Sequence, residues 1–153
     1  MTKVVFSGTF DPITLGHLSV IRRASPLFEK VIIAVAIAYE KKTQFDITRR
    51  IDMIKASTEH LHNVEVFPFS GLLVDFLKSI ECQCIIRGIR SVIDFSYEFE
   101  MAAVNQKLLP GTQTIFFAAE EQVSSSLVRQ ILSLGGDVGA LVPQQALAIM
   151  QAT

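Results

Sequence analysis

Charge is scarce in this 153-residue sequence. Fourteen Lys and Arg face fifteen Asp and Glu, 19% of the chain in all, for a net charge of −1. So even a balance excludes a long-range field of either sign. Neither nucleic acid nor an anionic membrane is an expected partner, and the basic residues must act locally. Long apolar runs are missing too: none reaches the ~18–20 residues of a membrane span. The N-terminus carries one lysine and no apolar stretch leading to a small-residue cleavage site, so a cytoplasmic protein is expected. Cysteine is confined to Cys82 and Cys84. A disulfide across a single residue would strain the backbone, and no third cysteine completes a metal set, so the pair reads as thiols entering a buried strand. There is no internal repeat, linker or low-complexity tract.

Apolar side chains, in contrast, are plentiful. Half of the residues are hydrophobic and mean hydropathy is +0.40. A chain of this length is one domain, residues 1–153, that buries about two thirds of its unfolded surface. Its apolar content implies a sheet covered on both faces, or surface buried between subunits.

Apolar runs and helical periodicity alternate along the chain. Val4–Phe6, Val31–Ala36, Val64–Phe67, Cys84–Ile86 and Thr114–Phe117 read as strands, the third ended by Pro68. Between them, helical patterns run from Gly16 to about Phe28, from Asp46-Ile47-Thr48 through Lys55, from Ser70 or Gly71 to Ile80, and from Ser91 or Asp94 to Leu108. Ser124 to Leu134 follows, closed by Gly135-Gly136, and a last helix starts near Pro143. Short βα connections of this kind predict an α/β, Rossmann-like, five-stranded parallel sheet with helices on both faces. Ligands of such sheets bind at the carboxyl ends of the strands. Gly8–His17, Tyr39–Lys42 and Arg87–Arg90 each follow a strand, so they should converge on one edge.

The stretch Ser7-Gly8-Thr9-Phe10-Asp11-Pro12-Ile13-Thr14-Leu15-Gly16-His17 joins a strand to a helix N-terminus. Backbone N–H groups and the positive end of the helix dipole make such a turn a cradle for phosphate. It is neither G-x-G-x-x-G nor a P-loop, because no Gly-Lys-Ser/Thr is present. Taken singly, each motif has a plainer explanation. His17 could be a capping residue, Lys41-Lys42 solvated loop charge, Arg87 and Arg90 with Asp94 and Glu98 a surface salt-bridge cluster, and Ser124–Ser126 a helix cap. Their joint order and spacing is what departs from chance.

Thr14-Leu15-Gly16-His17 resembles the T-x-G-H form of the H/T-x-G-H motif of the nucleotidyltransferase superfamily. The longer string is similar to the bacterial phosphopantetheine adenylyltransferase family, with Leu15 where asparagine is usual. Arg87-Gly88-Ile89-Arg90 with Asp94-Phe95 and Tyr97-Glu98, and Val123-Ser124-Ser125-Ser126-Leu127-Val128-Arg129, match further strings of that family. The loop before the serines, Ala118-Ala119-Glu120-Glu121-Gln122, is about three residues shorter than usual.

The resemblance implies transfer of AMP from ATP to 4′-phosphopantetheine, with Mg²⁺ on the triphosphate, a hexameric assembly and feedback binding of coenzyme A. It implies catalytic roles for His17, Lys41 and Arg87. ATP would meet Thr9, Phe10, His17, Gly88, Ile89, Arg90, Glu98 and Ser124, Ser125 and Ser126. The acceptor would meet Thr9, Lys41, Leu73, Arg87 and Asn105. No residue cluster for a protein-held metal is implied. The nearest alternative is a transferase of the same superfamily acting on nicotinamide mononucleotide or a polyol phosphate, and a more distant one is a non-catalytic nucleotide-binding module. The nucleophile would be a phosphate whose second pKa is near ~6, already ionised at neutral pH. No Ser–His or His–carboxylate constellation is evident, and none is needed. Positioning and charge stabilisation would carry the reaction.

Overall fold

The computed structural model describes residues 2–37 and 42–152. Its five strands are β1 (Lys3–Gly8), β2 (Lys30–Ala36), β3 (Val64–Phe69), β4 (Cys84–Ile89) and β5 (Gln113–Ala118). Six α-helices accompany them: α1 (Leu15–Ala24), α2 (Ile47–Ser57), α3 (Leu73–Ser79), α4 (Val92–Leu108), α5 (Ser125–Ser133) and α6 (Gln144–Gln151). The strands form one parallel sheet in the order β3-β2-β1-β4-β5. The α/β class, the five strands and the parallel sheet are therefore as expected.

Alternate residues of each central strand feed two cores. Val4, Phe6, Val31, Ile33, Val35 and Ile86 pack under Val20 and Ile21 of α1, Met53 and Ile54 of α2 and Ala146 of α6. Val5, Ile32, Ala34 and Ile85 point the other way, onto Leu77 of α3. This period-two division in a run of uniformly apolar strands is the mark of a parallel sheet with helices on both sides.

Several boundaries differ from the sequence pattern. α1 stops at Ala24 and continues only as a short 3₁₀ turn over Ser25–Leu27, because Pro26 lacks the N–H a further α-turn requires. Pro68 does not end β3, which runs to Phe69. β3 is an edge strand, and the Phe69 carbonyl accepts from the Ile37 N–H. The neighbouring Pro68 nitrogen therefore faces away from β2, where a missing N–H costs nothing. α3 begins at Leu73 rather than Ser70 or Gly71, since Gly71 has a left-handed φ of 79°. Arg87, Gly88 and Ile89 do not follow β4 but form its last half, paired with Phe116, Phe117 and Ala118.

The chain builds β1 to β3 outward on one side and β4 to β5 on the other, so strand order reverses between β1 and β4. These two strands pair only at Val5–Ile85 and Phe6–Ile86. β1 stays with β2 as far as Gly8–Val35, and β4 stays with β5 to its end. Past Phe6 the sheet therefore splits, and the split is the root of the ligand crevice that this topology produces.

Candidate active site

A cleft of about 370 Å³ opens at this split. Its walls come from the end of β1 and the turn after it, from Gly16, His17 and Val20 of α1, from Arg87 and Gly88 of β4, and from Ser124, Ser125, Ser126 and Arg129 around the start of α5. Lys42, Thr43, Arg90, Asp94, Glu98, Ala119 and Glu121 complete the rim. Thr9, Phe10, His17, Arg87, Gly88, Arg90, Glu98 and the three serines thus converge as expected. Ile89, Leu73 and Asn105 do not line the cleft. Ile89 is held in the sheet, where its carbonyl accepts from Ala119. Leu73 packs in the core beneath α3, and Asn105 lies toward the far end of α4. Lys41 lies outside the described residues.

The T-x-G-H spacing has a local physical cause. Thr14 is the N-cap of α1, and its hydroxyl accepts from the His17 N–H at 3.3 Å. His17 occupies the third helical position, and its Nδ1 accepts the Thr14 N–H at 3.0 Å. This is a capping box with an imidazole where Glu or Gln is usual. Accepting at Nδ1 requires the ring proton to sit on Nε2, so the neutral ring keeps a single N–H donor, at Nε2. Packing of Phe10 at 4.8 Å and Phe6 at 6.1 Å, centroid to centroid, fixes the ring. Burial, then the charges of Arg87 and Arg90, push its pKa from 6.5 down to about 3. His17 is therefore a neutral donor and not a general acid or base near neutrality. Gly16 permits a close approach. A Cβ there would stand 3.2 and 3.3 Å from the carbonyl oxygens of Val123 and Glu121, which wall the cleft.

The phosphate turn is tied down from several sides. Phe10 takes a left-handed φ of 50°, a conformation sparsely populated by bulky residues and held only by its surroundings. Arg129 donates to the Asp11 carbonyl at 2.9 Å and Ser125 to the Pro12 carbonyl at 2.8 Å. The Asp11 carboxylate accepts the N–H groups of Gln44 and Phe45 at 2.8 and 2.9 Å. Ser124 is the N-cap of α5 and accepts from the Leu127 N–H; its hydroxyl also lies 3.2 Å from that of Ser126. The serines thus do two jobs, since Ser124 and Ser125 build the site while the helix N-terminus faces the cleft.

Arg87 is more committed than its sequence context indicates. Nε and Nη2 donate to the two Glu98 oxygens at 2.8 and 2.6 Å, and Nη1 donates to the Ser7 carbonyl at 2.6 Å. The planar fork expected to grip a phosphate is therefore occupied by Glu98, a buried residue of α4. Three of the five guanidinium N–H donors are used, and two remain for a ligand. The Ser7 bond also bridges the split between β1 and β4. Arg90 is tethered by its N–H to Asp94 at 3.0 Å. Asp11, Lys42, Thr43, Asp94, Glu121 and Arg129 are site residues that motif reading did not single out. Asp11, Lys42, Asp94 and Arg129 carried a signal, as members of quoted motif strings, whereas Thr43 and Glu121 carried none.

The cytidylyltransferase-like family model matches residues 5–131. Among curated relatives, a phosphopantetheine adenylyltransferase of Clostridium botulinum is 45% identical over 151 residues, 97% of this chain and 95% of that protein. One of Haemophilus influenzae is 47% identical over 146 residues, 94% of each. A crystal structure of a Vibrio parahaemolyticus protein described as a nicotinate-nucleotide adenylyltransferase superposes with a TM-score of 0.73, covering 99% of this chain and all of that one. At 20% identity this last match speaks to the fold alone. The chain belongs to the cytidylyltransferase-like nucleotidyltransferases and, within them, to the phosphopantetheine adenylyltransferase family.

Proposed function

We propose that this chain, as a single catalytic domain, transfers AMP from ATP to 4′-phosphopantetheine, giving dephospho-coenzyme A and pyrophosphate. The observation that carries the reading is the neutral His17 imidazole, its lone N–H turned to a cleft ringed by Arg87, Arg90, Arg129 and a helix N-terminus. A phosphate oxygen of the acceptor attacks the α-phosphorus. The new P–O bond forms as the bond from that phosphorus to the bridging oxygen breaks, and pyrophosphate leaves with the electron pair. The nucleophile is already ionised, so no residue need take a proton.

Nε2–H of His17 donates to a non-bridging oxygen of the α-phosphate as charge builds there. Thr9, Phe10, Gly88, Arg90 and Ser124–Ser126 hold the nucleotide, with Glu98 acting through Arg87 and Ile89 backing the site from within the sheet. Lys41 and the two remaining Arg87 donors hold the acceptor's phosphate, and contacts of its arm with Leu73 and Asn105, which lie outside the cleft, rest on the family resemblance alone. Magnesium enters as part of the substrate. Asp11 and Glu98 spend both oxygens on protein donors, and the described residues contain no cluster of metal-binding side chains. In this reading the triphosphate supplies ligands for Mg²⁺.

A homohexamer is part of the proposal, supported by an apolar stripe on α4. Ile93, Tyr97, Met101, Val104 and Leu108 recur at helical spacing and are all exposed. A cytoplasmic location and feedback binding of coenzyme A at the acceptor site complete it. The deciding experiment is pyrophosphate release from MgATP with phosphopantetheine, nicotinamide mononucleotide and a polyol phosphate offered in turn. Turnover with phosphopantetheine alone is expected. Preference for either other acceptor overturns the substrate assignment.

A further inference from the structure

Arg50 is a buried cation in a place where the described residues offer it no carboxylate bond. Its guanidinium instead donates to three carbonyl oxygens: Phe45 at 3.0 Å through Nε, and Thr9 at 2.8 Å and Ala36 at 2.9 Å through Nη1. The three acceptors lie on different parts of the site. Thr9 is in the phosphate turn. Ala36 is the last residue of β2, and Phe45 stands just before the cap of α2. Ala36 and Phe45 therefore bracket the segment 37–44, which includes Lys41 and the cleft residues Lys42 and Thr43.

We propose that Arg50 is a positioning residue, whose bonds to Thr9, Ala36 and Phe45 set the distance between the nucleotide turn and the two ends of the segment 37–44. The inference rests on the reading above that this segment meets the acceptor. Asp11 works in the same joint from the other side, accepting the Gln44 and Phe45 N–H groups from within the turn. The turn has further supports in Arg129 and Ser125, so weakening the joint should spare nucleotide binding and displace the acceptor. Lysine cannot replace the guanidinium, because a single ammonium on a flexible stem does not span three acceptors arranged about a plane. Its neighbour Arg49 supplies a control. It donates to the carbonyls of Ile149, Met150 and Ala152 at the end of α6 and lies 5.3 Å over the Phe45 ring, but it does not line the cleft or bond to the phosphate turn.

The test compares Arg50→Lys, Asp11→Asn and Arg49→Ala with wild type by melting temperature, ATP affinity, and kcat and KM for phosphopantetheine. Misplacement of reacting groups by about 1 Å can cost up to ~10²-fold. For Arg50→Lys we expect a rise of about tenfold in acceptor KM and a fall of about tenfold in kcat, with ATP affinity within about threefold of wild type. Asp11→Asn should show the same split, and it stands in if Arg50→Lys does not fold. Arg49→Ala should lower the melting temperature and leave the kinetics alone.

Wild-type kinetics in folded Arg50→Lys, or a loss confined to ATP affinity, overturns the inference. Wild type that fails to turn over phosphopantetheine overturns the function reading instead. Amide exchange then judges Arg50 alone: faster exchange at Gln44 and Phe45 in the lysine variant, with β1 unchanged, supports it, and equal rates overturn it.

Discussion

The phosphate turn and helix α4 use similar apolar residues to opposite ends. In the turn, Phe10 and Ile13 are buried to 2% and 0% exposure, and the carbonyls of Thr9, Asp11 and Pro12 each have a side-chain donor. The turn is finished within one chain. α4 carries Val92, Ile93, Phe95, Tyr97 and Phe99 largely in the open, and Glu98 is its one fully buried residue. That helix leaves its apolar side open in the single chain. The contrast separates a turn held rigid on every side from a surface left uncovered, and Arg87–Glu98 is the pair through which the second region touches the first.

The largest expected effect lies in the turn. His17→Ala removes the donor proposed for the transition state, so turnover should fall about 10²–10³-fold, while ATP affinity stays within a fewfold. Steady-state kinetics beside direct nucleotide binding checks this, and near-normal turnover would remove His17 from the mechanism. A smaller effect on chemistry, but a decisive one on assembly, is expected from Met101→Glu combined with Leu108→Glu. Two charges on the α4 stripe should convert the proposed hexamer to smaller species in analytical ultracentrifugation while the far-ultraviolet circular dichroism is retained. An unchanged sedimentation coefficient would mean that α4 is not the contact.

The strands and the helix starts at Asp46 or Thr48, at Ser91 or Asp94 and at Ser124 could be read from local pattern because each depends on a few neighbouring residues, and parallel pairing followed from the alternation of strands and helices. The Thr14–His17 spacing was legible only as a family motif, and the capping box that gives it a physical cause is seen in the structure. What stayed hidden depends on distance in sequence. A surface salt-bridge cluster of Arg87 with Glu98 is one reading of the sequence, but only the structure shows Glu98, eleven residues on, buried and filling the fork. Arg50 sits beside Arg49 in an amphipathic helix and looks like a surface residue. Only the fold brings Thr9, 41 residues away, to its guanidinium. The split between β1 and β4 could not be foreseen either, because it is a property of strand pairing and not of either strand's composition.

The central claim is that folding fixes His17 as a neutral Nε2–H donor. Its pKa is lowered in the folded state, so the unfolded chain takes the proton first as the solution is acidified. The stability this residue contributes is thus present above about 6.5 and is lost as the pH falls from there toward about 3. Nitrogen-15 NMR of the imidazole across pH 8 to pH 4.5, roughly the range around the ordinary histidine pKa, measures tautomer and charge together. The account predicts a single Nε2–H tautomer that does not titrate over that range. A proton on Nδ1, or titration near the ordinary value, would contradict it.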